Sequence, residues 1–157
     1  MRRKKQEITN KCIIEKIIQS AEVCRFGLSL NNKPYIVPLN FGYQDNTLYV
    51  HSAIEGKKID IIKENNSVCF EMEVNTKMIE GDQPCKWTMH FQSVVGFGRA
   101  SIIEDHEEKI KGLDIIKKHY TDNEGQFPEA ALKVTAVIKI EIDEIFAKQN
   151  GYPELSR

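Results

Sequence analysis

A chain of 157 residues, 41% hydrophobic and 29% charged, has the composition of a soluble globular protein and enough length to bury a core without staples. Its formal net charge of −1 excludes the basic excess that general nucleic-acid binding needs, and no apolar run reaches the roughly 20 residues of a membrane span. Cys12, Cys24, Cys69 and Cys85 lie apart with no CxxC pair, so no structural zinc pattern is present.

The basic start, Met1-Arg-Arg-Lys-Lys-Gln-Glu, has no apolar stretch behind it, so it is not a secretory leader and the cytoplasm is the expected compartment. Ile13, Ile14, Ile17 and Ile18 recur at helical spacing and predict a helix over 7–21, with Thr9 as candidate N-cap. Residues 23–30 form a short apolar strand, closed by the turn signal Asn31-Asn32-Lys33-Pro34. A second strand spans 35–43, where Pro38 demands an edge position, a bulge or an unpaired amide. Gln44-Asp45-Asn46 turns the chain into a third strand over 47–52, and two successive hairpins predict an antiparallel meander. The apolar neighbours of Cys12, Cys24 and Cys69 mark these three as buried, reduced thiols.

A helix over 56–64 places Ile59 and Ile62 on one face, and 67–74 is again a strand. Residues 78–85, with Gly81 and Pro84, predict a loop; 86–103 is extended, and Gly96 and Gly98 permit a bend or bulge there. Asp105 opens a helix to about Tyr120, with Glu107 and Glu108 suited to the dipole of its first turn. After a polar loop over 121–127 comes a last strand over 132–142, in which Val134, Ala136, Ile138, Ile140 and Ile142 alternate with Thr135, Lys139 and Glu141. The tail after Phe146 is expected to be loosely ordered. About six strands and three helices, without repeats or linkers, predict one domain over 1–157. The expected class is mainly β, an antiparallel six-stranded barrel, closed or partly closed, with flanking helices.

The segment Tyr49-Val-His-Ser-Ala-Ile-Glu-Gly-Lys-Lys-Ile-Asp60 carries the chemistry. A strand ends near His51, and a helix begins near Gly56 with two lysines in its first turn. Lysines oppose the positive end of a helix dipole. A phosphate there would satisfy the free amides, Lys57 and Lys58 together, with Ser52 adding a hydroxyl. A solvated basic helix face is the competing reading, since charge against the dipole costs only a few tenths of a kcal/mol. Gly96-Phe97-Gly98 is not a dinucleotide fingerprint, because no third glycine or helix follows.

Several segments in register carry a resemblance: Met1-Arg-Arg-Lys, Pro34-Tyr-Ile-Val-Pro-Leu-Asn-Phe-Gly42, Leu48 to Asp60, Val68-Cys-Phe70, Ser93-Val-Val-Gly-Phe-Gly-Arg-Ala100 and the Glu108-Lys109 helix. Over about residues 1 to 145 the chain resembles the pyridoxamine 5′-phosphate oxidase-like FMN-binding split-barrel proteins, in the branch of nitroimidazole-resistance flavoproteins. The resemblance implies a homodimer with FMN at the subunit interface. It implies that the backbone of Val37, Pro38 and Leu39 lies along the flavin ring, which gives Pro38 a reason to lack a ladder donor. His51, Ser52 and Ala53 would line the flavin, and Gly56, Lys57 and Lys58 would hold the phosphate. Gln92, Ser93 and Val94 would approach from the second barrel strand or the partner subunit.

By the same resemblance His51 is the candidate catalytic residue, as a hydrogen-bonding or proton-relaying imidazole. His90, His106 and His119 have no such context and are read as surface or structural groups, with no metal site. Trp87 has two readings, stacking on a ligand or packing in a core or dimer interface. Where relatives often have Thr-Gly-Lys, this chain has Phe146-Ala147-Lys148, and Ala147 takes positive φ less readily than Gly. The implied activity passes electrons from a nicotinamide donor to a small-molecule acceptor of the nitro or quinone type. The alternatives are a flavin- or heme-binding module without turnover and a deazaflavin-dependent reductase. A true pyridoxamine phosphate oxidase is disfavoured, because no second cluster of basic residues offers a site for the substrate phosphate.

Overall fold

The computed structural model describes residues 4–152. A short pairing strand, β1 (Glu7–Ile8), precedes helix α1 (Lys11–Ser20). Four strands follow: β2 (Cys24–Leu30), β3 (Lys33–Leu39), β4 (Phe41–Gln44) and β5 (Thr47–Ala53). Helix α2 (Lys57–Glu64) leads to the long strands β6 (Ser67–Ile79) and β7 (Thr88–Ile102). Helices α3 (His106–Tyr120) and α4 (Glu129–Val134) precede β8 (Thr135–Asn150).

All strands join one antiparallel sheet in the order β3-β2-β6-β7-β8-β5-β4, with β1 added to β8. The path does not close into a full barrel. It still brings its two edges together, because Asn40 alone separates β3 from β4. Pro38 therefore sits on an edge strand, where its missing N–H costs no ladder bond on the outer side. Inside the curl, Phe26, Phe41, Phe70, Met72, Val94, Ile138 and Ile140 are fully buried, each large side chain contributing roughly 1.5–3 kcal/mol. Ile14, Ile17 and Ile18 of α1 join this core. A smaller cluster, Leu113, Ile116, Leu132 and Val137 with Tyr49 and Phe127, fills the space between α3, α4 and the outer face of β5 and β8.

Several boundaries differ from the sequence expectation. The sheet has eight strands rather than six, because 35–43 breaks at Asn40 and Glu7–Ile8 pairs with Lys148 and Ala147. The first helix begins at Lys11 and is capped by Asn10, not Thr9; the Asn10 side chain accepts from the N–H of Cys12 and of Ile13. Cys12 lies off the buried isoleucine face and is exposed; Cys69 is half-buried, and Cys24 alone is fully buried. Met78 continues β6, which runs on to Ile79. Residues 132–134 are the end of α4 rather than strand, since Glu-Ala-Ala-Leu-Lys-Val favours helix.

The segment 146–150 is ordered as strand, paired with Phe91–Val95 and β1, and Ala147 is buried in extended backbone with no need of positive φ. Residues 153–157 of that tail lie outside the described residues, as do Met1, Arg2 and Arg3 of the motif at the start. The bend allowed by the glycines is present as a bulge: Phe97 pairs with Glu144 and Gly98 with Ile142, which leaves Asp143 extra. A Cβ on Gly98 would collide with the carbonyl oxygen of Glu141, so only glycine lets the strands approach this closely. Among the described residues, no helix is long and apolar enough to cross a membrane.

Candidate functional site

The end of β5 and the start of α2 form one continuous feature. Pairing with β8 fixes His51 opposite Val137, Ser52 opposite Ala136 and Ala53 opposite Thr135. The period of two turns Leu48 and Val50 into the core and His51 outward. After Ala53 the chain bends through Ile54 and Glu55 to Gly56, whose φ of 123° lies in a region open to glycine and strained for other residues. The first helical bond of α2 is from the Asp60 N–H to the Gly56 carbonyl, so the N–H groups of Lys57, Lys58 and Ile59 lie ahead of the ladder. No side chain caps them.

The charges around this open terminus are unbalanced. Lys57 and Lys58 have no acidic partner among the described residues, although Asp60 shares the first turn. Lys57 Nζ stands 4.5 Å from the centre of the Tyr35 ring, which ties α2 to β3. Burial lowers the Lys58 ammonium from its ordinary value. Burial first, and then the Lys58 charge, lowers the His51 imidazole below 6.5. The result is a largely exposed, electropositive corner with free backbone donors, in which Ser52 and Lys58 are half-buried, suited to an anion.

Val37, Pro38 and Leu39 lie at the end of β3, one residue from β4, and Phe41 of β4 pairs with Val50 beside His51. Together with the Tyr35–Lys57 contact, this brings Val37–Leu39, His51–Ala53 and Gly56–Lys58 to one end of the sheet. The Ser52 hydroxyl donates to the Ala53 carbonyl at 2.8 Å, which leaves its oxygen able to accept but not free to donate.

Gln92, Ser93 and Val94 are not brought to this corner. Ser93 pairs with Lys148, whereas Ile102, nine residues further along β7, pairs with Ile138 at the level of Val50 and His51. That is on the order of 30 Å along the strand. Val94 is fully buried, and the Gln92 side chain is bonded to Asn75 and Gln149.

Tyr35 was not singled out from the sequence. It shares the half-buried face of Val37 and Leu39 while Ile36 and Pro38 are exposed, and that alternation was the available signal. Trp87 is 49% exposed and donates to the Gly81 carbonyl, so it is not a core residue. His119 is structural, contacting the Ala21 carbonyl and the Phe41 ring; His106 faces Glu129. Among the described residues, no group of three or more His, Cys, Asp and Glu could hold a metal ion. Two large clefts, about 890 Å³ beside α3 and about 780 Å³ between α2 and the end of β7, include neither His51 nor the lysine pair.

The family model of pyridoxamine 5′-phosphate oxidase matches residues 11–149. The chain belongs to this family. Among solved structures it is similar to one from Bacteroides thetaiotaomicron, assigned provisionally as a 5-nitroimidazole antibiotic resistance protein. That match has 38% identity and a TM-score of 0.82 and covers 90% of this chain and 85% of that one. The fold is shared with a flavocytochrome from Azotobacter vinelandii, with 19% identity, a TM-score of 0.85 and coverage of 100% and 75%. It is also shared with an FAD and heme binding protein from Mycobacterium smegmatis, with 14% identity, a TM-score of 0.84 and coverage of 96% and 77%. No curated protein matches the chain significantly. The split barrel expected from the sequence is thus the family's fold, built here as an open, curled antiparallel sheet.

Proposed function

We propose that this chain binds FMN in a cytoplasmic homodimer and passes electrons from a nicotinamide donor to a small acceptor of the nitro or quinone type. The observation that carries the reading is the pair Lys57 and Lys58, without acidic partners, at an uncapped helix N-terminus behind a glycine of φ 123°. The residues fit the group: three backbone donors and two ammonium charges suit a phosphate dianion, and Tyr35 steadies one of those lysines. Gly56, Lys57 and Lys58 would hold the phosphate, while Val37, Pro38 and Leu39 offer edge-strand backbone to the ring. Bound flavin supplies the hydride and electron chemistry.

His51, kept neutral by burial and by Lys58, offers one ring nitrogen as donor and the other as acceptor beside that ring. One chain leaves the site incomplete, since Gln92, Ser93 and Val94 stand too far along β7 to reach it. A second copy would supply Gln92 and Ser93, whereas Val94, fully buried in the core of its own chain, has no surface to offer.

The visible absorbance of the purified protein, with mass analysis of the small molecule released by heat, tests the cofactor. Released FMN supports the reading; released FAD, heme or deazaflavin would replace FMN by that group, and a colourless protein that takes up no added FMN would sink it. Each of Lys57→Ala and Lys58→Ala is expected to weaken FMN about 10- to 100-fold, the worth of one or two charged hydrogen bonds. Riboflavin, which lacks the phosphate, should lose little. Equal losses for both ligands would remove the phosphate from α2.

A further inference from the structure

We propose that Tyr35 determines how strongly the α2 corner prefers a phosphorylated flavin, because its ring holds the Lys57 ammonium in place before the ligand arrives. Lys57 is exposed, stands first in α2 and has no acidic partner among the described residues. Such a lysine carries its charge on a flexible four-carbon stem, and the positive helix end and the neighbouring Lys58 both push it out into water. Against that push stands the Tyr35 ring, whose centre lies 4.5 Å from Nζ. Its electron-rich face attracts the cation and keeps it beside the open amides of the first turn.

The ring is the fixed member of the pair. Tyr35 is matched with Leu28 in the β2–β3 ladder and packs against the main core, while Ile36 beside it is exposed. Its hydroxyl has no hydrogen-bond partner among the described residues, so the ring face rather than the phenol is the part Lys57 uses. An ammonium has three donors, and those turned away from a ring remain free for an anion. Lys57 is therefore restricted in advance, which lowers the ordering cost when a phosphate binds. Lys58 has no ring partner among the described residues; it is half-buried and acts on His51. The two lysines thus divide the work, Lys57 as the preset anchor and Lys58 as the link to the imidazole. The inference rests on the phosphate reading of α2, with Tyr35 a positioning residue that acts through Lys57.

The experiment measures FMN and riboflavin affinities of the full chain by flavin fluorescence quenching, in wild type, Tyr35→Phe, Tyr35→Leu, Lys57→Ala and Tyr35→Leu/Lys57→Ala. Tyr35→Leu is expected to weaken FMN about two- to fivefold, the range of one exposed cation–π contact, and to leave riboflavin unchanged. Tyr35→Phe keeps the ring face and should bind both flavins as wild type does. Once Lys57 is alanine, adding Tyr35→Leu should weaken FMN no further. By NMR of the flavin-free protein, the Lys57 side-chain protons should show an upfield ring shift that Tyr35→Leu abolishes. If Tyr35 only packs α2 on β3, Tyr35→Leu weakens both flavins alike and does so without Lys57 as well. Either of those results, wild-type FMN affinity in Tyr35→Leu, an equal loss in Tyr35→Phe, or Lys57 protons without a ring shift would overturn the proposal. Equal losses of both flavins in Lys57→Ala, or a chain that binds neither, would remove the phosphate reading and the role of Tyr35 with it. A Lys57→Ala loss confined to FMN, beside an additive effect of Tyr35→Leu, would remove the role of Tyr35 alone.

Discussion

His51 sits between two environments that set its charge. Burial and the neighbouring Lys58 both lower its pKa from 6.5, so the folded protein resists protonating it. The unfolded chain then binds more protons just below pH 6.5. Stability is therefore highest above pH 6.5 and falls as the pH drops through the window between 6.5 and the lower folded value. The imidazole is expected to titrate below 6.5 by NMR, and Lys58→Met should bring its midpoint back toward 6.5. A bound phosphate that neutralises Lys58 would act in the same direction, so FMN should raise the His51 midpoint more than riboflavin does. A midpoint unmoved by Lys58→Met would show that burial alone sets it.

At the scale of elements, α1 tests which residue ends a helix. Asn10 satisfies the N–H of Cys12 at 3.0 Å and that of Ile13 at 3.4 Å. Asn10→Ala should lower the unfolding free energy by about 1 kcal/mol, the usual worth of such a cap. Thr9→Ala should change it little, and a urea melt of both variants compares them directly. The helices α2 and α3 were legible because Gly56 and Asp105 mark their starts and the isoleucine spacing marks their buried faces. The far half of β8 was not. The side chains it turns to the main core fall at Ala136, Ile138, Ile140 and Ile142 before the bulge, then at the half-buried Ile145 and the buried Ala147 after it. One extra residue, Asp143, flips the strand's faces. A period-two reading loses the strand at that point, which makes an ordered segment look like a loose tail.

The site shows the same division between local and assembled information. Gly56, Lys57, Lys58 and His51 were readable because one short segment carries the strand end, the turn and the dipole conflict. The walls facing His51 come from Leu113, Phe127 and Leu132, more than 60 positions away, and only the packing of α3 and α4 against β5 brings them there. Gln92, Ser93 and Val94 belong to a still larger scale, since the strand register keeps them from the site of their own chain. If a second copy supplies Gln92 and Ser93, two defective chains should repair one another. Lys57→Ala/Lys58→Ala removes the phosphate side, and Ser93→Arg would place a long cation on the half-buried β7 position that a partner would present. Each variant alone should bind FMN poorly. Unfolded and refolded together in equal amounts, half the dimers would be mixed, and each mixed dimer would carry one intact site beside one doubly altered site. Flavin fluorescence quenching should then recover to about a quarter of the wild-type sites, with FMN at a level that only intact sites hold. No recovery from a mixture shown to form mixed dimers would mean that both sets of residues act within one chain, or that β7 has no part in the site.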